Sequence, residues 1–397
     1  LYRQATVLIL DEPTAVLTPQ EAEELAVTLR GMAAQGKTVV FISHKLEEVM
    51  GVTDRVTVLR QGRKVFEAMT AATSKSELAR EMIGRKLEDL KREQRTFVLS
   101  LAGVGEDSPP AAAHQPDKKG ATAVLRVHDL CVNDDRDLPA CRGISFDIAA
   151  GETVGVAGVD GNGQRELVEV IVGQRRATSG TITFQGQDAT TWTPRQVIDH
   201  NIAVITDDRH GEGLVLGFNL ARNAVLKLFR RQPFARRSML QPDVIDDFTR
   251  RLIDDYSIST PGTQVAAGKL SGGNQQKLIL ARELSQSPAL IIANKPTRGL
   301  DIGAAAYVHQ KLTGERDRGA AVLLISADLD ELFALSDRLI VMYGGQLMGD
   351  MPIGEATLEK VGLMMAGTAA ENLAAHLSQQ PPEQTQPAVE WNEVRNG

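Results

Sequence analysis

The chain of 397 residues carries 44 Lys and Arg against 51 Asp and Glu, which gives a formal net charge of −7. This length predicts two domains with a core each, and the acidic balance argues against a nucleic-acid-binding protein, which usually has a basic face. The two cysteines, Cys131 and Cys141, have no metal-ligand spacing, and no apolar run reaches the ~18 residues that a membrane span needs.

The first predicted element is a strand at Val7–Leu10, an unbroken apolar run typical of a parallel sheet buried on both faces. Asp11 and Glu12 follow it at the carboxyl end, where α/β sheets bind their ligands. Such a pair suits a nucleotide site, because one carboxylate can hold Mg²⁺ through water and the other can polarise an attacking water. The alternative is a strand that ends in a solvated acidic turn.

A helix follows at Gln20–Gln35, and then an apolar strand at Lys37–Ser43 that ends at His44. A neutral imidazole at this edge can accept or relay a proton near pH 7, although a single histidine can also be purely structural. The N-terminal half closes with a hairpin and a helix, predicted at Val56–Leu59, Lys64–Glu67 and Leu78–Leu90.

The sequence repeats itself at an offset of 283 residues, which aligns Asp11 with Asn294 and His44 with Ala327. A single register without gaps over some fifty residues indicates a duplicated domain. The identical pairs include Pro13–Pro296, Thr14–Thr297, Leu17–Leu300, Gly36–Gly319, Ser43–Ser326, Asp54–Asp337, Arg55–Arg338 and Gly62–Gly345. Between the copies, residues 91–121 are rich in Pro, Ala and Gly and are predicted to be a flexible linker.

The second half opens with predicted strands and then a glycine-rich loop before a helix at Leu167–Val172. Gly158, Gly161 and Gly163 have the spacing of a loop that cradles phosphate, although a glycine-rich turn without a ligand remains open. The predicted strands are Val124–Leu130, Gly143–Ile148 and Thr153–Ala157.

A second phosphate-binding device is predicted at LSGGNQQK, residues 270–277, which leads into a helix at Gln275–Leu284. The glycines leave backbone N–H groups uncovered, Ser271 adds a hydroxyl donor, and the helix adds its positive N-terminal end. A bare Ser-Gly-Gly turn would be ordinary, but the octapeptide is far more specific.

Taken together, DEPTAVLTPQE, ISHKLEEV and LSGGNQQK resemble the Walker B, H-loop and signature motifs of ABC-transporter ATPases. The tandem layout looks like the ATP-binding subunits of bacterial sugar importers, and GVDGNGQ and PTRGLD look closer to their nucleoside-import branch. The resemblance implies an α/β fold of tandem ABC-type P-loop ATPase domains. Each would have a parallel sheet with flanking helices, an antiparallel β layer and a helical subdomain, the first domain being incomplete at its front. The implied divisions are an ABC domain in residues 1–90, a linker in 91–121, a degenerate ABC domain in 122–367 and a disordered tail in 368–397.

The resemblance also assigns roles to residues of the first domain. Asp11 becomes the carboxylate that holds Mg²⁺ through water, Glu12 the general base, and His44 the contact to the γ-phosphate and attacking water. Thr18 stands where the family usually has the Asp of its D-loop. The signature of the second domain would clamp ATP held by the first, through Ser271, Gly272, Gly273 and Asn274.

In the second domain, the resemblance implies that the catalytic groups are replaced. Gln164 and Arg165 stand where the phosphate loop has Lys and then Ser or Thr, so roughly 1.5–3 kcal/mol of charged hydrogen bonding is lost. Weak nucleotide binding is expected there, through Gly158, Gly161, Gly163, Gln164 and Arg165. The other degenerate positions are Asn294 for the metal carboxylate, Lys295 for the base, Ala327 for the histidine and Asp207 for the Q-loop glutamine.

The predicted function is therefore an ATP-hydrolysing subunit that energises the import of nucleosides or simple sugars, with ATP and Mg²⁺ as cofactors. The implied partners are two integral-membrane permeases and, indirectly, an extracytoplasmic binding protein, at the cytoplasmic face of the membrane. One alternative is a non-catalytic remnant or regulatory fragment, since the first phosphate loop is absent from these residues. Another is a ribosome-associated twin ATPase, which usually has two intact sites and a basic linker. A cluster of Arg230, Arg231, Arg236 and Arg237 is either a solvated face or a docking surface for a permease or anionic lipid.

Overall fold

The computed structural model describes residues 6–11, 13–14, 19–43, 45–60, 62–83 and 123–369. We call the described residues up to 83 the N-terminal unit and residues 123–369 the C-terminal unit. The predicted linker, the predicted tail from residue 370 onwards, and Glu12, Thr18 and His44 lie outside the described residues.

The N-terminal unit contains a parallel strand pair, a hairpin and three helices among its described residues. Strands β1 and β2 run parallel, with Val7 opposite Thr38 and Asp11 opposite Ile42. Strands β3 and β4 form an antiparallel hairpin. The elements are β1 (Val7–Asp11), α1 (Pro19–Ala34), β2 (Thr38–Ile42), α2 (Leu46–Val52), β3 (Arg55–Arg60), β4 (Arg63–Met69) and α3 (Lys75–Ile83).

The C-terminal unit is built around a six-stranded sheet of order β10-β13-β14-β7-β15-β16, in which β16 alone runs antiparallel. A four-stranded antiparallel sheet of order β6-β5-β8-β9 lies beside it. The strands are β5 (Ala123–Asn133), β6 (Pro139–Ala149), β7 (Thr153–Ala157), β8 (Ser179–Phe184), β9 (Gln187–Asp188), β10 (Ile202–Ile205), β11 (Ala235–Arg236), β12 (Met239–Leu240), β13 (Leu290–Asn294), β14 (Ala321–Ile325), β15 (Arg338–Tyr343) and β16 (Gln346–Pro352). The helices are α4 (Gln164–Ile171), α5 (Pro194–Asp199), α6 (Leu220–Ala224), α7 (Pro242–Asp255), α8 (Gly272–Leu284), α9 (Ile302–Asp317), α10 (Leu329–Leu335) and α11 (Leu358–Met365).

The central sheet is buried on both faces, which explains its unbroken apolar strands. Successive side chains of β13 point to opposite faces of the sheet and therefore enter two different cores. Ile291 and Ala293 belong to the core formed with α8, α9, α10 and α11. Leu290 and Ile292 belong to the core formed with β5, β6 and α4.

A smaller cluster packs where α6 and α7 meet the segment that leads to the β11–β12 hairpin. It contains Ala221, Val225, Leu228, Phe234 and Ile245, and the rings of Phe234 and Phe248 meet edge to face with centroids 4.9 Å apart. Helices α6 and α7 both contact α8, so this cluster supports the helix that begins at the signature sequence. None of the helices in the described ranges is both long enough and apolar enough to cross a membrane.

The internal repeat predicted from the sequence is present in the structure, element by element. Adding 283 to the bounds of β1, α1, β2, α2, β3 and β4 gives the bounds of β13, α9, β14, α10, β15 and β16 without exception. The irregularity in each hairpin also falls at equivalent places, after Val58 and after Val341. The two units are therefore copies of one supersecondary arrangement.

The copies differ in what covers the sheet. Val7 and Ile9 are 54% and 67% exposed, whereas the equivalent Leu290 and Ile292 are fully buried. In the C-terminal unit β5, β6 and α4 cover this face, and the described residues of the N-terminal unit include no equivalent of those elements.

Helix boundaries depart from the predictions chiefly at the two glycine-rich loops. Helix α8 begins at Gly272 rather than Gln275, because Ser271 takes the extended N-cap conformation and the glycines after it are already helical. Helix α4 begins at Gln164 rather than Leu167, directly after Gly163 in the left-handed conformation. Helix α3 begins at Lys75, earlier than the predicted Leu78.

The glycine pair in the β15–β16 turn allows a matched test of close packing. Gly344 and Gly345 both have positive φ, but only a Cβ at Gly345 would collide with the carbonyl of Ala140. We expect Gly344→Ala to lower the free energy of unfolding by about 1 kcal/mol, and Gly345→Ala by about 3 kcal/mol because the backbone contact adds to the strain. Urea unfolding of both variants measures the difference, and equal losses would contradict the assigned contact.

Candidate functional site

The glycine-rich loop at residues 158–163 joins the buried strand β7 to helix α4, as the sequence predicts. A Cβ at Gly158 would lie 2.7 Å from the carbonyl oxygen of Met342, and one at Gly163 would collide with the carbonyl of Ala140. Gly163 also has φ +100°. Both positions therefore need glycine for close approach to neighbouring backbone.

The side chain of Gln164 folds back across this loop and bonds to its backbone. Its Nε2 donates to the carbonyl of Val159 at 3.1 Å, and its Oε1 accepts from the N–H of Asn162 at 3.1 Å. Asn162 adds a bond from its Nδ2 to the same carbonyl at 2.9 Å, and its Oδ1 accepts from the N–H of Gly344 at 2.8 Å. The buried carboxamide of Gln164 thus closes the loop from within.

The charges near the loop come from Lys295 and Asp160, which form an ion pair. Lys295 follows β13 with φ +46°, at the position equivalent to Glu12 in the other copy. Arg165 is turned along α4 instead, where its Nε donates to Glu169 Oε1 at 2.7 Å. The cation beside the loop is therefore Lys295.

The carboxyl ends of β13 and β14 carry uncharged or cationic residues, namely Asn294, Lys295 and Ala327. Asn294 ends β13 opposite Ile325 in β14, and Ala327 lies just beyond β14. Neither Asn294 nor a protonated Lys295 can accept a proton as a carboxylate does. In the N-terminal unit, Asp11 ends β1 and is exposed.

The signature sequence begins helix α8 with its polar end open to solvent. Ser271 is the N-cap, and both Ser271 and Gly272 are exposed. The first intrahelical bond runs from the N–H of Gln275 to the carbonyl of Ser271 at 2.9 Å, so the preceding N–H groups have no acceptor within the helix. Asn274 donates to Ser271 Oγ at 2.9 Å and accepts from the N–H of Ser259 at 2.8 Å, which fixes the N-cap.

Two glutamines of the signature sequence hold α8 in place. Gln276 Nε2 donates to the carbonyl of Pro296 at 2.7 Å, which joins the helix to the turn after β13. Gln275 Oε1 lies 3.0 Å from Nε2 of His210, in the turn after β10. The open end of the helix is therefore positioned from two sides.

Asp207 is held by an arginine of the same neighbourhood. Arg298 Nη1 donates to Asp207 Oδ2 at 3.2 Å, and Arg209 Nη1 donates to the carbonyl of Arg298 at 2.7 Å. Burial, and then the charge of Arg298, lower the pKa of Arg209. Asp301 caps α9 by accepting from the N–H of Ala304 at 2.8 Å.

Comparison with known proteins agrees with the site. A family model described as ABC transporter matches residues 141–298. The guanosine import ATP-binding protein NupO of Bacillus subtilis (strain 168) is 41% identical over 368 residues, which cover 93% of this chain and 68% of that protein. The chain belongs to the ABC transporter ATP-binding proteins.

Further relatives are named for the import of nucleosides and of ribose. The nucleoside import ATP-binding protein NupA of Lactococcus lactis subsp. cremoris (strain MG1363) is 39% identical over 92% of this chain and 68% of that protein. The ribose import ATP-binding protein RbsA of Streptococcus agalactiae serotype V (strain ATCC BAA-611 / 2603 V/R) is 34% identical over 92% of this chain and 68% of that protein.

Among solved structures, the chain resembles the ATP-binding cassette MJ1267 of an ABC transporter, with a TM-score of 0.51 at 20% identity over 62% of this chain and 98% of that one. It also resembles the dimeric bacterial ABC transporter cassette MJ0796, with a TM-score of 0.50 at 17% identity over 58% of this chain and 98% of that one. These likenesses confirm the predicted α/β ABC cassette fold, and membership of the family makes the protein an ABC-type ATPase.

For this ABC ATPase, the structure brings together some predicted site residues and separates others. Gly158, Gly161, Gly163 and Gln164 form one loop, whereas Arg165 points away along α4. The roles of Glu12 and His44 stay predictions, because both lie outside the described residues. Of the arginine cluster, Arg231 bonds to the carbonyl of Ile198 at 2.8 Å, while Arg230, Arg236 and Arg237 are exposed.

Several residues that shape the site were not predicted to do so. Asp160, Arg209 and His210 have no sequence signal of their own, because their partners come from distant segments. Glu48 and Glu331 could have been found, since they are also identical at the offset of 283, and they bond to the repeated threonines.

The closed loop yields a matched pair of substitutions. We expect Gln164→Ala to lower the free energy of unfolding by about 1–3 kcal/mol, because it removes both hydrogen bonds from the buried carboxamide to the loop backbone. Arg165→Ala should cost less than about 1 kcal/mol, since it removes an exposed ion pair. Urea unfolding of both variants is the measurement, and a Gln164→Ala loss no larger than that of Arg165→Ala would show that the carboxamide does not close the loop.

Proposed function

We propose that this protein is the ATP-hydrolysing subunit of an importer for nucleosides or simple sugars. The observation that carries the proposal is the asymmetry of the two copies: Asp11 ends one strand where Asn294 and then Lys295 stand in the other. The import functions named for the relatives, which are guanosine, nucleosides and ribose, support the substrate class.

In this proposal, residues 1–90 belong to one ABC domain and residues 122–367 to a second. Residues 91–121 tether them and raise their effective concentration for each other, and residues 368–397 form a tail. The domains meet head to tail, an arrangement supported by the solved structures of related cassettes that are described as dimeric.

The hydrolysing site then combines Asp11, Glu12 and His44 with the signature residues of the C-terminal unit. Glu12 accepts a proton from the attacking water. His44 contacts the γ-phosphate, and Ser271 with the N–H groups of Gly272 and Gly273 donates to the phosphate oxygens. Residues 1–90 contain no glycine-rich phosphate-binding loop with a lysine for this site.

Asp11 fits a water-mediated Mg²⁺ site, because its carboxylate is exposed at the carboxyl end of β1. Within the described ranges, no three His, Cys, Asp or Glu side chains are grouped so as to ligate a metal directly. When bound, Mg²⁺ would neutralise charge on the phosphate oxygens.

The second site binds nucleotide weakly and does not hydrolyse it. Its loop is bonded to itself through Gln164, so an entering phosphate has to displace those hydrogen bonds. Lys295 is already paired with Asp160, and no carboxylate occupies the base position. The C-terminal unit therefore serves chiefly through its signature helix.

The proposed partners are two integral-membrane permeases, with an extracytoplasmic binding protein acting through them. The protein would sit peripherally at the cytoplasmic face of the membrane. The exposed Arg230, Arg236 and Arg237, beside Met239 and Leu240 at 70% and 52% exposure, offer a surface for that contact.

The catalytic assignment is tested in the transporter assembled with its permeases. We expect Glu12→Gln to lower the ATPase kcat roughly 10²–10⁴-fold because the base is lost, while ATP binding is retained. Lys295→Gln should leave kcat within about 2-fold, since Lys295 is not at the hydrolysing site. Retention of activity by Glu12→Gln would refute the proposal.

The substrate class is tested by uptake into proteoliposomes of the same assembly. We expect guanosine uptake to exceed ribose uptake at least about 10-fold, the ratio given by about 1.4 kcal/mol of preference. Glu12→Gln should abolish the uptake. Uptake of ribose in preference to guanosine would assign the importer to sugars instead.

A further inference from the structure

A carboxylate in the N-terminal unit joins two segments that lie at the ends of neighbouring strands. Glu48, on the first turns of α2, accepts a hydrogen bond from Thr14 Oγ1 at 2.7 Å through Oε1. Its Oε2 accepts one from Ser43 Oγ at 2.8 Å. Thr14 is buried just after β1, and Ser43 directly follows β2.

The hydroxyl of Ser43 also orders the backbone that leads into α2. Ser43 Oγ accepts from the N–H of Lys45 at 3.1 Å while it donates to Glu48. The contacts therefore form a chain from the Lys45 N–H, through Ser43, to the carboxylate that Thr14 reaches from the other side. A rigid chain of this kind fixes the separation of the two segments.

A related arrangement occurs in the C-terminal unit at an offset of 283, although Glu331 Oε1 there also lies 2.7 Å from His309 Nε2, whose equivalent is Ala26. Thr297 Oγ1 donates to Glu331 Oε1 at 2.8 Å, and Ser326 Oγ accepts from the N–H of Asp328 at 3.0 Å. Burial raises the pKa of Glu331, but hydrogen bonds from His309, Ser326 and Thr297 bring it below its usual value. The carboxylate is thus a feature of the repeated architecture and not of one copy.

We propose that Glu48 is a positioning residue of the hydrolysing site. It bonds to Thr14, two residues after the proposed base Glu12, and to Ser43, one residue before His44. Adjacent Cα atoms are only about 3.8 Å apart, so fixing Thr14 and Ser43 restricts the segments that carry the base and the histidine. This inference rests on the proposed function.

The equivalent carboxylate in the other copy makes the matched control. Glu331 holds the same two segments together, but these carry Lys295 and Ala327, which have no catalytic role in the proposal. Loss of Glu48 should therefore lower turnover far more than loss of Glu331, because small displacements of reacting groups cost rate steeply. Glu331 reaches the hydrolysing site only through the turn at Thr297 to which α8 is anchored.

The test uses the transporter assembled with its permeases. We expect Glu48→Gln to lower the ATPase kcat roughly 10–100-fold with the KM for ATP changed less than about 3-fold, because positioning and not ground-state binding is lost. Glu331→Gln should leave kcat within about 2-fold. An equal loss of kcat in both variants, or an effect of Glu48→Gln on KM alone, would overturn the inference.

A double substitution separates this inference from the proposed function. If Glu48 acts through Glu12, then Glu48→Gln should lower kcat little further in a Glu12→Gln background, because residues that act as a unit are not additive. A full, additive loss would overturn the positioning role. Retention of activity by Glu12→Gln alone would instead overturn the proposed function.

Should Glu48→Gln fail to fold, the nearly isosteric pair Thr14→Val and Thr297→Val tests the same link. Each removes one hydroxyl from the contact while keeping the side-chain shape, and melting temperatures show whether stability is matched. We expect Thr14→Val to lower kcat roughly 3–10-fold more than Thr297→Val does. Equal kcat values would overturn the inference.

Discussion

The parallel alignment of the strands is the constraint on which both copies depend. Parallel strands point their carboxyl ends the same way, so the segments after β7, β13 and β14 meet at one edge of the central sheet. The strands themselves are buried on both faces and carry apolar side chains. Polar chemistry is therefore confined to the last residue of each strand and the residues just beyond it, and Asp11 and Asn294 are those last residues in the two copies.

The two copies preserve the scaffold of this edge and differ in its chemistry. In each copy a glutamate accepts a hydrogen bond from the threonine that follows the first strand of the repeat. The pairs are Glu48 with Thr14 and Glu331 with Thr297. In the C-terminal unit the lysine in the base position pairs with Asp160, whose loop Gln164 closes. A loop whose polar groups are already bonded gains less from an anion, because each new bond replaces an existing one.

The parts of the fold with a strong local signal could be predicted from the sequence. The buried strands, the glycine loop and the offset of 283 all follow from residue pattern, and the bounds of the repeated elements agree with that offset. Contacts between distant segments could not be predicted, because no local pattern specifies them. Lys295 and Asp160, for example, are 135 positions apart in the sequence. The start of α8 was also missed, because glycines after a serine N-cap have weak helix propensity and only tertiary packing makes them helical.

The packing around α8 supports the signature role that we propose for the C-terminal unit. Gln276 joins the helix to the turn after β13, and His210 joins it to the turn after β10. Those two turns lie at the same sheet edge as the closed loop, so side chains of the unit itself anchor the helix. Its N-terminal N–H groups at Gly272 and Gly273 stay available to an anion from outside the unit. The N–H groups at the start of α8 therefore form a rigid, preorganised donor surface. Because folding has already ordered this surface, binding an anion requires little further loss of conformational entropy.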